Sequence, residues 1–211
     1  MTTAIIGTGG LGSVIARQLA LGGEALRLSS ADPKSARTLA AEIGRGAVAA
    51  TDNHDALRSA DAVILALRFT QLQSVIAEIA DSLTDMVVVV PSNPLSTDAQ
   101  GNIVRVLPDD QSSGDIVAGW LPPGARLVMA FGSMSAGLFQ SVSNRSPELA
   151  VLFYATGDDR AGQEVERLIR TAGFEPARIG GVEQSGRLEV GGDLHDLVVG
   201  RAEAQSLVST A

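Results

Sequence analysis

Gly7-Thr8-Gly9-Gly10-Leu11-Gly12 is the stretch on which the reading of this chain turns. Its glycines at 7, 9 and 12 satisfy G-x-G-x-x-G, and each has a separate task. The first permits a tight turn out of a strand. The second lets a diphosphate approach the backbone, and the third lets the next helix pack closely on the strand. A glycine-rich chain produces this pattern by chance, so its context carries the weight. Thr3 to Ile6 reads as a strand that ends at the first glycine. Leu11, Val14, Ile15 and Leu19 then recur at helical spacing, and Gly22-Gly23 separates that helix from a second strand, Ala25 to Leu28. Such a unit points the helix's unpaired N–H groups and its positive dipole end at phosphate. The expected ligand is a nicotinamide dinucleotide held by Gly7, Thr8, Gly9, Gly10, Leu11 and Gly12.

The same rhythm continues outward. A helix from about Pro33 to Ile43 precedes a weak strand, Ala47 to Ala50, and a firmer one, Ala62 to Leu67. Leu72, Val75, Ile76, Ile79 and Leu83 make the cleanest helical stripe, and Met86 to Val90 reads as a strand buried on both faces. The polar stretch from Leu95 to Gly114 interrupts this order and suggests a mobile excursion. A helix near Asp115 to Leu121 and a strand at Leu127 to Phe131 resume it. Another strand (Ala150 to Ala155), a helix with Val165, Leu168 and Ile169 inward, and a short strand near Ala177 to Ile179 follow. The expected fold is α/β, a doubly wound (Rossmann) parallel sheet with helices on both faces. Residues 1–140 form the dinucleotide-binding body, and 141–211 a small C-terminal α/β appendage that completes the substrate side.

Composition narrows the class. Of 211 residues 45% are hydrophobic but only 3% aromatic, so the core is built from Ala, Val, Leu and Ile. A net charge of -8 argues against nucleic-acid binding, which needs cationic surface. The absence of cysteine excludes disulfides, thiolate zinc sites and cysteine nucleophiles, and it fits a reducing interior. Met1 leads within two residues into a strand-like segment, and no apolar run is long enough to span a bilayer. The expectation is a soluble cytoplasmic protein without membrane or nucleic-acid partners.

The second strand bears on cofactor choice. A 2′-hydroxyl cofactor is normally held by an acid at its end, yet Leu28 is followed by Ser29-Ser30-Ala31. Hydroxyls at Ser29 and Ser30, with charge from Arg27, Lys34 or Arg37, suit a 2′-phosphate, so NADP is favoured over NAD. Ser30 or Asp32 as a plain helix cap fits the same residues. Ligands in such sheets lie outside the carboxyl ends of the strands. Three further strand ends qualify: Leu67-Arg68-Phe69, Ser92-Asn93 between prolines, and Phe131 to Ala136. Asn93 reads either as a partner for the carboxamide or as part of a rigid turn. Arg68 meets either an anionic substrate or solvent. Gly132, Ser133, Met134, Ser135 and Ala136 leave room for a ring, so Ser133 and Met134 are candidate substrate contacts. His195, between Asp193 and Asp196, is a candidate hydrogen-bond partner or proton donor for the substrate, or an exposed tail histidine. Thr51 to Asp55, with His54, reads as a capped helix start and not as a metal cluster. No metal and no nucleophile or strong base are called for, because direct hydride transfer needs only two stacked rings.

These residues together resemble the family of NADPH-dependent reductases of the 8-hydroxy-5-deazaflavin coenzyme F420, over nearly the whole chain. The likeness rests on the glycine turn, Ser29-Ser30, Ser92-Asn93-Pro94-Leu95, Ala130-Phe131 and Gly157-Asp158-Asp159. It implies that Thr8, Gly9, Gly10 and Leu11 contact the pyrophosphate and Ser30 the 2′-phosphate, while Leu67, Phe69, Asn93 and Ala136 line the nicotinamide. Where the family usually has Arg after that serine, this chain has Ala31, which passes the role to Lys34 or Arg37. The implied activity is hydride transfer between NADP(H) and F420. Alternatives are an NADPH-dependent reductase of another acceptor (imine, carbonyl or metal complex) and a non-catalytic NADP sensor. F420 has an acidic tail, for which Arg68, Arg187 and Arg201 are candidate contacts. The resemblance also implies a homodimer, with Leu194, Leu197, Val198 and Val199 either at its contact or buried in their own domain.

Overall fold

Alternate residues of each central strand face opposite layers, which explains their unbroken apolar character. In β5 (Val87–Val90), Val87 and Val89 join one core and Val88 and Val90 the other. The same division holds for Ile5 against Ala4 and Ile6 in β1 (Thr2–Ile6), and for Ile64 against Val63 and Leu65 in β4 (Ala62–Leu65). This computed structural model describes residues 1–44 and 46–209. Its main sheet has eight strands. Besides those three they are β2 (Ala25–Ser29), β3 (Ala47–Ala49), β8 (Arg126–Ala130), β9 (Val151–Ala155) and β10 (Glu175–Arg178), in the order β10-β9-β8-β5-β4-β1-β2-β3. Helices α1 (Gly10–Leu21), α2 (Pro33–Ile43), α6 (Ala136–Val142) and α7 (Asp159–Thr171) cover one core. Helices α3 (Asn53–Leu57), α4 (Phe69–Glu78), α5 (Ser113–Ala118) and α8 (Arg201–Ser209) cover the other, with a 3-10 segment at Val182–Leu188. The doubly wound expectation holds.

Two features differ from a purely parallel sheet. β9 pairs with β8 in the antiparallel sense, Ala130 opposite Tyr154, and β10 runs parallel to β9. The strands after residue 140, expected in a small appendage, therefore extend the body's own sheet. The stretch from Leu95 to Gly114 contains an antiparallel ribbon, β6 (Leu95–Thr97) with β7 (Ile103–Arg105). Its turn is organised by the Asp98 carboxylate, which accepts from the backbone N–H groups of Gln100 and Asn102.

Helix starts follow their caps. Asp158 accepts from Ala161 N at 2.8 Å, and that bond, followed by Arg126, holds its carboxyl below the usual aspartate range. Leu194 and Val199 are buried in the second core with Leu197 packed against it, and Val198 packs against the first. All four pack against the chain's own cores. Among the described residues no helix is long and apolar enough to cross a membrane.

Candidate functional site

β1, β2, β4, β5 and β8 run the same way, so Gly7, Ser29, Ala66, Pro91 and Phe131 emerge along one edge of the sheet. Gly7 has φ of +103°, which glycine alone adopts without strain, and a Cβ there would lie 2.2 Å from the Ala66 carbonyl oxygen. A Cβ on Gly12 would lie 2.1 Å from the Gly7 carbonyl oxygen, so the helix–strand approach requires that glycine too. At Gly9 and Gly10 a Cβ would meet nothing within 4 Å. The turn is closed from below and open above. Ser13 N donates to Gly9 O at 2.8 Å as α1 begins, and Gly9 supplies no side-chain cap. The first N–H groups of α1 thus face the opening, beside the buried Thr8 hydroxyl, which meets no protein partner.

Next to this turn lies a groove of about 480 Å³ lined by Thr8, Ser13, Asp32, Lys34 and Ser35 among others. Asp32 caps α2, accepting from Lys34 N at 3.0 Å and Ser35 Oγ at 3.0 Å. Those bonds lower its carboxyl below the ordinary value, Lys34 N first. Of the two cap candidates, the aspartate fills the role. Ser29 is buried and donates to Asn53 Oδ1 at 2.7 Å. Arg27 is committed to Asp55, through both its carbonyl and its carboxylate at 2.9 Å. Ser30 is half-buried at the strand end, and Lys34 and Arg37 are exposed on α2.

The ring side is pinned by side chains that bond to backbone. Ser92 Oγ donates to Leu67 O at 2.6 Å, tying the end of β5 to that of β4. Asn93 Nδ2 donates to Gly132 O at 2.9 Å, and Asn93 Oδ1 accepts from Val190 N at 2.7 Å. The Asn93 amide therefore already holds three segments together, with one hydrogen and one lone pair to spare. Leu67 and Ala136 are half-buried at the edge, and Arg68 is exposed. Phe69 is 5% exposed and packs against Trp120 in a tilted pair with centroids 5.4 Å apart, so it backs the site from the core.

Ser133 and Met134 are buried. The C-terminal tail returns to them: Asp196 N donates to Ser133 O at 2.7 Å, and Ser135 N donates to Asp196 Oδ1 at 2.7 Å. That brings His195 to the same edge, its Nδ1 3.7 Å from Asp196 Oδ2. His54 lies in α3, where Asp52 accepts from Asp55 N at 2.7 Å, as the cap reading requires. Among the described residues no group of three or more His, Cys, Asp or Glu could hold a metal ion.

Sequence reasoning did not single out Glu189. Its carboxylate is 4% exposed, accepts from Ser113 N at 2.7 Å, and pairs with Arg105 at 2.6 Å. No local pattern announces it, because those partners lie 76 and 84 positions away.

Residues 2–94 match the family described as NADP oxidoreductase, coenzyme F420-dependent. The F420-dependent NADP reductase of Methanothermobacter thermautotrophicus is 30% identical over 152 residues, covering 68% of this chain and 66% of that protein. The aligned stretch thus spans just under two thirds of that relative's length. A hypothetical protein from Sinorhizobium meliloti superposes with a TM-score of 0.83 at 26% identity, covering 95% of this chain and 96% of the other. A proposed F420-dependent NADP-reductase from Arthrobacter sp. FB24 gives 0.75 at 22% identity over 89% and 90%, a likeness of fold.

Proposed function

Through residues 2–94 the chain is related to the coenzyme F420-dependent NADP oxidoreductases, and we propose that it moves hydride between NADP(H) and F420. The observation that carries this reading is the glycine turn, closed at Gly7 and Gly12 and open at Gly9 and Gly10, within the matched residues. The residues present fit a dinucleotide. Thr8 offers an unpaired buried hydroxyl, and any side chain at Gly9 or Gly10 would occupy the approach of the diphosphate.

The N–H groups from Thr8 to Gly12 bind the diphosphate, as dipole and geometry favour. Ser30 and Lys34 take the 2′-phosphate, with Arg37 adding charge from the next turn of α2. Leu67, Asn93 and Ala136 border the nicotinamide, and Arg68 stands at the rim. His195 stands on the second substrate's side, and Ser133 and Met134, both buried, support that side from behind. When bound, the nicotinamide supplies or accepts the hydride. The chain's part is to hold two rings with the reacting carbons about 3–3.5 Å apart and to exclude water. The protein acts in the cytoplasm as a homodimer.

Purified protein should oxidise NADPH in the presence of F420, followed by the absorbance of both. Tight NADPH binding without turnover would remove F420 as acceptor. A second reading, reduction of a C=N compound, draws support from the fold shared with the imine reductase of Bacillus cereus, which superposes with a TM-score of 0.63 at 21% identity over 90% of this chain and 57% of that one. Turnover with a cyclic imine and none with F420 would favour it. For cofactor choice, Lys34→Ala should cost about tenfold in NADPH affinity, about 1.4 kcal/mol, and leave NADH affinity unchanged. An equal loss for both cofactors would remove Lys34 from the 2′-phosphate.

A further inference from the structure

Behind Asn93 the ends of β5 and β8 flank a small cavity of about 20 Å³, lined by Asn93, Ser113, Ser133, Ser185, Leu188 and Glu189 among others. That is room for one water molecule. Two hydroxyls in its wall, Ser113 Oγ and Ser133 Oγ, are buried and meet no protein partner. A buried hydroxyl of this kind is normally satisfied, and water is the usual partner where no protein group reaches it. Beside it Glu189 accepts from Ser113 N at 2.7 Å and pairs with Arg105. Ser185 Oγ accepts from Gly114 N at 2.9 Å and faces the same carboxylate. The next residue, Val190, delivers its N–H to Asn93 Oδ1 at 2.7 Å.

We propose that this cavity holds one ordered water bonded to Ser113 and Ser133, and that Glu189 is a positioning residue which, with that water, fixes the Asn93 amide at the mouth. The second part rests on Asn93 bordering the nicotinamide; the first does not. The carboxylate binds α5 on one side and the ribbon, through Arg105, on the other. The segment carrying Val190 therefore cannot drift from Asn93 without breaking a buried, charge-assisted pair.

The full chain is used for the test. A high-resolution crystal structure should hold one water within hydrogen-bond distance of both hydroxyls. Hydroxyls bonded to each other or to carbonyls, with no water between them, would overturn that part. In solution, the Asn93 side-chain amide, assigned by its disappearance in Asn93→Asp, should be protected from exchange with solvent. Glu189→Ala should speed that exchange, and Glu189→Gln, which keeps the shape, should restore most of the protection. If Glu189→Ala does not fold, Arg105→Ala, which removes the other half of the pair, carries the test. With turnover, kcat should fall about tenfold in Glu189→Ala with little change in the KM for NADPH, as expected when a ring is misplaced after binding. An unchanged Asn93 signal in folded Glu189→Ala or Arg105→Ala would refute the positioning role. The signal is read without a hydride acceptor, so failure of the F420 assay leaves this outcome separately decidable.

Discussion

Gly9→Val is expected to fold like the parent chain and to bind NADPH roughly a hundredfold more weakly, a loss of about 3 kcal/mol. Gly9 has φ of -73° and ψ of -163°, an extended conformation that a β-branched residue adopts readily, and a Cβ there touches nothing within 4 Å. The new side chain therefore leaves the fold alone and fills the space through which the diphosphate reaches the first N–H groups of α1. Gly12→Ala makes the contrast. Its Cβ would lie 2.1 Å from the Gly7 carbonyl oxygen, so the helix must move off the strand. Binding and melting temperature should both fall. Calorimetry with NADPH and a thermal melt on the two variants separate the cases. Wild-type affinity in Gly9→Val would mean that the dinucleotide does not cross this turn.

The second large effect lies at the opposite end of β1. Glu24, 4% exposed, accepts from Thr3 Oγ1 at 2.7 Å and from Arg167 Nη1 at 2.6 Å. Arg167 also bonds Glu164 at 2.7 Å, and these carboxylates, Glu24 first, hold its guanidinium above its ordinary pKa. Arg167→Leu leaves Glu24 buried without its charge partner, which costs about 3–5 kcal/mol. The melting temperature should drop by roughly 10 °C or more. Adding Glu24→Leu should recover much of that loss, because a buried pair replaced by apolar residues is often neutral. A single variant that melts within a degree or so of wild type would show that solvent satisfies Glu24.

The glycine turn and its flanking elements were legible because their signals are local. A strand, a helical stripe and glycines at fixed offsets fall within two dozen residues, and each has one physical reading. Phe69 was not legible in the same way. It stands at a strand end, where ring contacts are expected, yet Trp120 draws it into the core. Asn93 was found by its place between prolines, but its partners, Gly132 and Val190, follow from the pairing of distant segments.

By itself the sequence determined the alternation of strand and helix, the turn that receives a diphosphate, and the absence of thiol chemistry, since these depend on residue type and short spacing. Only the tertiary structure decided that β9 reverses against β8, that the tail returns to Ser133, and that Glu189 is buried beside Arg105. The reason is that the free energy of a buried polar group depends on which groups fold against it, and those lie far along the chain.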